Sequence, residues 1–227
     1  MLITLPKLLS PEETTHCRNA LEAANWVDGR QTAGHFAAQV KQNQQLALDN
    51  PVGQQLGDLI LKALSRNQRF IAAALPLRIL PPRFNRYTGG GTYGKHIDNA
   101  IFHVPELRQQ IRSDISITVF LSEPSQYEGG ELVIDDNYAQ QRIKLAAGDA
   151  VVYPGNSLHH VTPVTSGVRL ASFFWIQSLV RQANRRQILF DLDQSIQTLA
   201  STSSGNSDAL ERLSGVYHNL LREWSDT

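Results

Sequence analysis

The chain has 227 residues, with 21 Lys or Arg against 21 Asp or Glu, so its formal net charge is zero. This length is enough for one catalytic domain with a sizeable core, and the apolar and charged fractions are close to those of globular proteins. The balanced charge gives no basic surplus of the kind that binds nucleic acid or anionic membranes. We therefore expect neither as a partner.

The cellular compartment follows from the cysteine count and the apolar runs. Cys17 is the one cysteine, which excludes an internal disulfide and fits a reducing compartment. The segment Met1–Lys7 lacks the charged start and long apolar run of a signal peptide. No uncharged apolar stretch approaches the length of a membrane span. We expect a soluble, cytoplasmic protein.

Residues 1–75 mainly have the pattern of helices and predict an N-terminal helical buttress of the catalytic domain. Ser10-Pro11-Glu12-Glu13 has the form of a capping box with proline at the first helical position. Asn50-Pro51 has the same form and precedes a second helix. Its apolar residues recur at spacings of three and four, which is typical of an amphipathic packing face: Leu56, Leu59, Ile60, Ala63 and Leu64.

Residues 76–180 change to a period of two, which predicts β-strands. In one segment the apolar residues Ile115, Ile117, Val119 and Leu121 alternate with Ser116, Thr118 and Phe120. Four more β-rich runs follow, separated by turns such as Glu128-Gly129-Gly130: 131–134, 143–145, 150–153 and 168–176. Many short strands without helices between them favour an antiparallel sandwich or barrel over a parallel sheet.

Residues 181–227 return to a helical period and predict a C-terminal helical extension. Residues 201–207 read as a polar connector between two helical pieces. The second piece has an apolar stripe, which we expect to pack on the core or to form the contact of a homo-oligomer: Leu210, Leu213, Tyr217, Leu220, Leu221 and Trp224.

His96-Ile97-Asp98 is the sequence feature that points to a metal. On an extended segment, residues two apart project to the same face, so the imidazole and the carboxylate can converge on one ion. His159, at the start of another strand, is a candidate third ligand. Two imidazoles and one carboxylate suit iron(II) and leave positions open, whereas a structural zinc site would need four ligands, commonly with thiolates.

Three questions about this site stay open on the residues alone. A histidine two positions before an aspartate is common by chance, and His160 competes with His159 because neighbours on a strand face opposite ways. Arg169 supports a functional site, since an arginine within an apolar strand is costly unless an anion meets it. An edge-strand arginine paired with a local acid is the competing interpretation.

The motifs taken together resemble the PKHD-type hydroxylases, relatives of prolyl and lysyl hydroxylases among the iron(II)- and 2-oxoglutarate-dependent dioxygenases. The likeness is strongest to the subgroup associated with bacterial iron uptake and covers nearly the whole chain. The matching segments are 84–87, 93–100, 112–116, 127–132, 145–149, 157–164, 167–169, 174–178 and 217–224.

This resemblance implies the fold and the site residues. It implies a mainly β protein with flanking helices, whose double-stranded β-helix (jelly-roll) core spans residues 76–180. It selects His159 over His160 as the third iron ligand beside His96 and Asp98. Arg169 would bind 2-oxoglutarate. Tyr87 would help to bind the same co-substrate and Tyr93 would lie near the open metal face, although simple packing also explains both aromatic rings.

The resemblance also implies the reaction and its cofactors. Iron(II), 2-oxoglutarate and oxygen would support hydroxylation with release of succinate and carbon dioxide, and L-ascorbate would be a further cofactor. The substrate would be a prolyl or lysyl side chain or a siderophore-like small molecule linked to iron uptake. The alternatives are a non-catalytic module that senses metal or 2-oxoglutarate, a cupin-like metal enzyme of another class, and an interaction scaffold.

Overall fold

The centre of the fold is a pair of antiparallel β-sheets that pack face to face. The structure, a computed structural model, describes residues 1–32, 38–104, 109–135, 139–202 and 207–226. In chain order the strands are β1 (Ile3–Leu5), β2 (Val27–Asp28), β3 (Lys41–Gln42), β4 (Gln44–Gln45), β5 (Pro76–Ile79), β6 (Arg83–Tyr87), β7 (Thr92–His96), β8 (Ile101–Val104), β9 (Gln109–Arg112), β10 (Ile115–Phe120), β11 (Tyr127–Gly129), β12 (Leu132–Asp135), β13 (Gln140–Ile143), β14 (Ala150–Pro154), β15 (Leu158–Val161), β16 (Val164–Gly167) and β17 (Arg169–Ser178).

The two main sheets differ in size and in what covers them. The larger sheet has eight strands in the order β1-β14-β10-β17-β6-β4-β2, with β5 joined to β17. The smaller sheet has five strands in the order β13-β12-β15-β7-β3. The pairs β11–β16 and β8–β9 form two further two-stranded ribbons. Side chains from the two main sheets meet in a shared hydrophobic cluster that includes Phe120, Val151, Leu132 and Ile134.

Strand β10 shows why the larger sheet is buried on both faces. All six of its residues are buried. The odd-numbered positions belong to the cluster under the helices: Ile115, Ile117 and Val119. The even-numbered positions face the smaller sheet: Ser116, Thr118 and Phe120. Each fully buried Ile or Val stabilises the fold by roughly 2 kcal/mol relative to exposure. The alternation predicted from the sequence is therefore confirmed, with both sides of the strand covered.

Helices before the sandwich cover the outer face of the larger sheet. They are α1 (Pro11–Glu22), α2 (Pro51–Ser65) and α3 (Gln68–Ala74). The predicted capping box is present: the Glu13 amide donates to Ser10 Oγ at 3.2 Å, and the Ser10 amide donates to Glu13 Oε2 at 2.8 Å. Asn50 caps α2 in a similar way, because its side chain accepts from Val52 and Gly53.

Two longer helices, α4 (Ala183–Thr202) and α5 (Ser207–Trp224), follow the last strand. Much of the predicted apolar stripe on α5 packs against Leu75, Val180 and Leu189 of the same chain: Tyr217, Leu220, Leu221 and Trp224. Residues 203–206 of the predicted polar connector lie outside the described residues. Among the helices that the structure describes, none combines the length and apolar character needed to cross a membrane. The mainly β core between helical extensions is confirmed.

The N-terminal region contains strands that the sequence analysis missed. Residues 1–75 were expected to be mainly helical, yet β1 and β4 extend the larger sheet and β3 pairs with β7 of the smaller one. Strands of two or three residues are too short to show an alternating pattern, so they form because a neighbouring strand offers unpaired backbone groups. The consequence for the site is that Lys41 on β3 is brought beside Tyr93 on β7.

Candidate active site

Two neighbouring strands of the smaller sheet bring the predicted metal ligands together. His159 on β15 lies directly opposite His96 on β7, and Asp98 follows two residues after His96. One donor atom from each of these three side chains lies within 4.8 Å of the other two. The nearest pairs are His96 Nε2 to Asp98 Oδ1 at 3.7 Å and His159 Nε2 to Asp98 Oδ2 at 3.8 Å. These separations suit three ligands that share one ion.

Hydrogen bonds to the backbone orient both imidazoles. His96 Nδ1 lies 2.8 Å from the Gly94 carbonyl oxygen, and His159 Nδ1 lies 3.0 Å from that of Ser157. A carbonyl oxygen can only accept, so Nδ1 carries the hydrogen and Nε2 presents its lone pair to the site. Ser116 Oγ donates to Asp98 Oδ2 at 2.7 Å and holds the carboxylate. Such outer hydrogen bonds are typical of metal ligands.

The site is sheltered from water, which keeps His96 neutral. The three ligand side chains are 7–10% exposed. Burial, reinforced by the neighbouring His159, lowers the pKa of His96 to about 4. A neutral imidazole is the form that binds metals. Tyr93 stacks on the His96 ring with centroids 3.6 Å apart and Tyr153 meets His159 edge-on at 5.3 Å. The donor set therefore fits an iron(II) ion with positions left open.

Arg169 supplies a second, cationic element in the same cavity. Arg169 is 1% exposed, and among the described residues its Nε and Nη1 atoms have no hydrogen-bond partner. The guanidinium lies 5.2 Å from the Tyr87 ring centroid and 5.4 Å from that of Phe120. A buried cation without an anion is costly, and a planar guanidinium matches a carboxylate through two hydrogen bonds. Arg169 can therefore bind a carboxylate of a ligand in this cavity.

Curated relatives match this chain from end to end. A PKHD-type hydroxylase of Delftia acidovorans is 60% identical over 99% of both chains. Another from Parvibaculum lavamentivorans is 57% identical over the full length of both. This chain belongs to the PKHD-type hydroxylase family. Residues 82–177 match the 2OG-Fe(II) oxygenase superfamily and residues 184–226 match the PKHD-type hydroxylase C-terminal domain. The protein is therefore an oxidoreductase of the 2-oxoglutarate-dependent dioxygenase class.

Solved structures place this PKHD-type hydroxylase in the double-stranded β-helix (jelly-roll) fold, as expected. A Pseudomonas putida prolyl-4-hydroxylase superposes with a TM-score of 0.51 at 19% identity, covering 78% of this chain and 92% of that one. A Trichoplax adhaerens prolyl hydroxylase, solved with a hypoxia inducible factor peptide, gives 0.56 at 12% identity, covering 83% and 86%. Identities this low support the fold alone.

Three further candidate residues from the sequence of this PKHD-type hydroxylase are Tyr87, Tyr93 and His160. The two tyrosines lie at the cavity, whereas His160 faces away from it. Tyr87 lies opposite Arg169 on β6, is buried, and has its hydroxyl 3.5 Å from Asn85 Nδ2. Tyr93 stacks on His96, so it contacts a candidate ligand directly. His160 lies opposite Val133, one pair beyond His159, and projects to the other side of the sheet. Its position disfavours it as a ligand of the same ion.

Several polar residues of the site were not predicted from the sequence. Ser116 holds Asp98, while Lys41, Arg83 and Asn85 line the cavity. A weak signal for two of them was present, because Arg83, Asn85 and Tyr87 alternate with Phe84 and Arg86 and so share one face of β6. Lys41 lies on a two-residue strand, and no sequence pattern would have indicated its partner.

Proposed function

We propose that this chain uses iron(II), 2-oxoglutarate and oxygen to hydroxylate a substrate, releasing succinate and carbon dioxide. In this proposal His96, Asp98 and His159 hold iron, and Arg169 binds the far carboxylate of 2-oxoglutarate. The observation that carries it is the buried guanidinium of Arg169, whose Nε and Nη1 atoms have no hydrogen-bond partner among the described residues, in the cavity that the three metal-ligand candidates also line. Membership of the PKHD-type hydroxylase family supports the same chemistry.

The protein's own part is to bind, orient and shield. Iron(II), 2-oxoglutarate and oxygen would together supply the oxidising chemistry, with oxygen as the oxidant and source of the hydroxyl oxygen. The backbone carbonyls of Gly94 and Ser157 fix the two imidazoles so that their Nε2 atoms face the ion. Two neutral imidazoles and one carboxylate leave an iron(II) site with one net positive charge, which favours an anionic chelator. Ser116 keeps the Asp98 carboxylate turned inward.

Arg169 and Tyr87 form the proposed seat of the far carboxylate. They are opposite residues on β17 and β6, and the ring lies against the guanidinium at 5.2 Å. The ring restricts the rotamers of Arg169, so a carboxylate meets a fork that is already oriented. Tyr93, stacked on His96, shields the metal side of the cavity from water in this proposal.

The substrate in this proposal is a prolyl or lysyl side chain or a siderophore-like small molecule. The name of the family and the prolyl hydroxylases among the structural neighbours favour the first. One structural neighbour, from Streptomyces hygroscopicus, was solved with nickel, 2-oxoglutarate and hygromycin B bound. That structure supports a small-molecule substrate as the other candidate. We further propose L-ascorbate as an accessory cofactor, a role in iron uptake, a cytoplasmic location and a homo-oligomeric state.

The proposal is tested by anaerobic titration of the iron(II)-loaded protein with 2-oxoglutarate, followed by a succinate assay after oxygen is admitted. We expect Arg169→Lys to raise the dissociation constant for 2-oxoglutarate at least tenfold, because the charge stays but the fork is lost. Arg86→Lys is the matched control, since Arg86 lies on β6 next to Tyr87 and does not line the cavity.

Two outcomes would refute the proposal. Unchanged 2-oxoglutarate affinity in Arg169→Lys would remove Arg169 from the site. Binding of 2-oxoglutarate without catalytic succinate formation would favour the sensing module instead. Metal affinity, measured with Mn(II) in the same variants, shows whether the site has kept its structure.

A further inference from the structure

The wall of the cavity continues well beyond Arg169 along strands β6 and β17. Their register pairs Tyr87 with Arg169, Asn85 with Ala171, and Arg83 with Phe173. Residues two apart on a strand face the same side, so these pairs form one continuous surface. Arg83 lies four residues before Tyr87, which corresponds to about 13 Å along the strand. The cavity thus has a second arginine far from the proposed 2-oxoglutarate seat.

Arg83 lies beside two stacked aromatic rings and, among the described residues, has no acidic partner. Its guanidinium carbon lies 5.2 Å from the Trp175 ring centroid and 5.8 Å from that of Phe102, and the two rings stack at 4.2 Å. Within the part of the chain that the structure describes, Arg83 makes no hydrogen bond and no ion pair. Burial lowers the pKa of this side chain, because it removes water without supplying an anion. Ring contacts fix the group and leave its hydrogen-bond donors free.

The charges of the residues that line the cavity also favour an anionic ligand. Among the described lining residues, Lys41, Arg83 and Arg169 are the cations and Asp98 is the single acid. Iron(II) would add two positive charges, and 2-oxoglutarate would bring two negative ones. The net charge of these groups after both have bound is positive, and Arg83 is a lining cation without an ion pair among the described residues. A neutral or cationic substrate would leave this excess in a partly desolvated space, which is unfavourable.

Asn85 provides a second, independent sign of a ligand at this position. The residue is 7% exposed, lines the cavity between the two arginines, and its Oδ1 atom has no hydrogen-bond partner among the described residues. Buried amide oxygens are normally satisfied, so an unpaired one in a cavity wall indicates a donor from a ligand. A hydroxyl or N–H group of the ligand, next to its anionic group, would donate the missing hydrogen bond to Asn85 Oδ1.

We propose that Arg83, which lies beside the stacked rings of Phe102 and Trp175, binds a carboxylate of the primary substrate, while Asn85 accepts a hydrogen bond from the same molecule. This inference rests on the proposed function and narrows its substrate to carboxylate-bearing compounds with a flat or apolar body. The flat body would lie along the rings, and the guanidinium would meet the carboxylate in two parallel hydrogen bonds. Arg83 is thus a substrate-specificity residue, distinct from Arg169.

The test uses Mn(II)-loaded full-length protein with saturating 2-oxoglutarate, so that Arg169 is occupied and no turnover takes place. Benzoate is the probe, with benzamide as its neutral isostere and phenylphosphonate as the phosphate-like arm. Calorimetric titration should show benzoate binding at least tenfold more tightly than benzamide and more tightly than phenylphosphonate. Arg83→Gln should weaken benzoate binding at least tenfold, and Arg83→Lys should weaken it less. Arg86→Gln, the matched control on β6, should leave it unchanged.

Several results would overturn the inference. These are equal affinity for benzoate and benzamide, no benzoate binding at millimolar concentration, or benzoate affinity that is unaltered in Arg83→Gln. Tighter binding of phenylphosphonate would overturn the carboxylate assignment. Displacement of 2-oxoglutarate by benzoate would assign the binding to Arg169. If the unmodified protein does not bind 2-oxoglutarate, the proposed function itself is refuted. An unchanged melting temperature shows that the Arg83 variants are folded.

Discussion

His96 and His159 form one cross-strand pair, with their ring centroids 4.2 Å apart, whereas His160 belongs to the next pair and faces the opposite side of the sheet. The pairing depends on the register between β7 and β15, and a shift by one residue would turn His160 inward in place of His159. The geometry therefore distinguishes two adjacent histidines that composition alone treats as equal.

The first prediction follows from this pairing. His159→Ala should weaken Mn(II) or iron(II) binding by at least a hundredfold, because one of three ligands is lost. His160→Ala should change the metal dissociation constant less than threefold, since that ring projects away from the site. Metal titration followed by calorimetry measures both. Comparable losses in the two variants would contradict the assignment and would indicate a different strand register.

The second prediction concerns the hydrogen bond that holds Asp98. Ser116→Ala removes the 2.7 Å contact from Ser116 Oγ to Asp98 Oδ2 and leaves the carboxylate free to rotate. Loss of such an outer contact typically costs 10–100-fold in metal affinity, and we expect a decrease of about tenfold here. The matched control is Ser113→Ala, whose hydroxyl donates to the Asn99 carbonyl instead. A metal affinity equal to that of the unmodified protein would show that Asp98 needs no support.

The sequence predicted the elements that have a strong local pattern. The capping box at Ser10 and the alternation along β10 are confirmed, because each depends on residues close together in the chain. The convergence of His96, Asp98 and His159 was predicted as well. The spacing along the sequence did not distinguish His159 from His160, and the family resemblance was needed to choose His159. The pairing of β7 with β15 supplies that decision in physical terms.

What could not be predicted depends on contacts between distant segments. Lys41 reaches the cavity because a two-residue strand pairs with β7, and Ser116 reaches Asp98 across two sheets. Such positions are fixed by tertiary pairing and leave no periodic signal. Arg83 was not predicted as a site residue, because the sequence pattern of a single arginine in a strand does not show whether its side chain faces solvent or a cavity. Only its neighbours Phe102 and Trp175 distinguish the two cases.

The third prediction concerns Gly130, which lies against Arg169. Gly130 has a φ of +64°, and an added Cβ would lie 3.0 Å from Arg169 Cδ and 2.8 Å from Val164 Cγ2. Gly130→Ala should therefore destabilise the fold by about 1–3 kcal/mol and displace the guanidinium. We expect the 2-oxoglutarate dissociation constant to rise about tenfold, equivalent to about 1.4 kcal/mol, with metal affinity unchanged.

The control for Gly130 is a glycine in open space. An added Cβ at Gly215, within α5, meets no heavy atom within 4 Å among the described residues other than its chain neighbours and the backbone of its own helix. Gly215→Ala should raise the free energy of unfolding by up to about 1 kcal/mol, because alanine is the better helix former. It should not alter 2-oxoglutarate binding. Equal co-substrate affinity in both alanine variants would show that Gly130 does not position Arg169.

The fourth prediction concerns the start of α1 and its dependence on pH. Hydrogen bonds from Arg66 and from the Ser10 amide lower the pKa of Glu13 in the folded protein. A carboxylate with a lowered folded pKa stabilises the fold above its unfolded pKa, and this contribution disappears as pH falls through the folded value. Glu13→Gln should thus reduce the free energy of unfolding at pH 7, and the reduction should be smaller at pH 3 than at pH 7.

Ser10→Ala tests the other half of the same capping box. Removing the hydroxyl that accepts from the Glu13 amide should cost about 1 kcal/mol of unfolding free energy at pH 7. Ser195→Ala is the control, because Ser195 is exposed within α4 and its hydroxyl bonds the Asp191 carbonyl of the same helix. Alanine there should be neutral or slightly stabilising. Urea unfolding at pH 7 and pH 3 measures all three variants, and a pH-independent loss in Glu13→Gln would show that its charge contributes nothing.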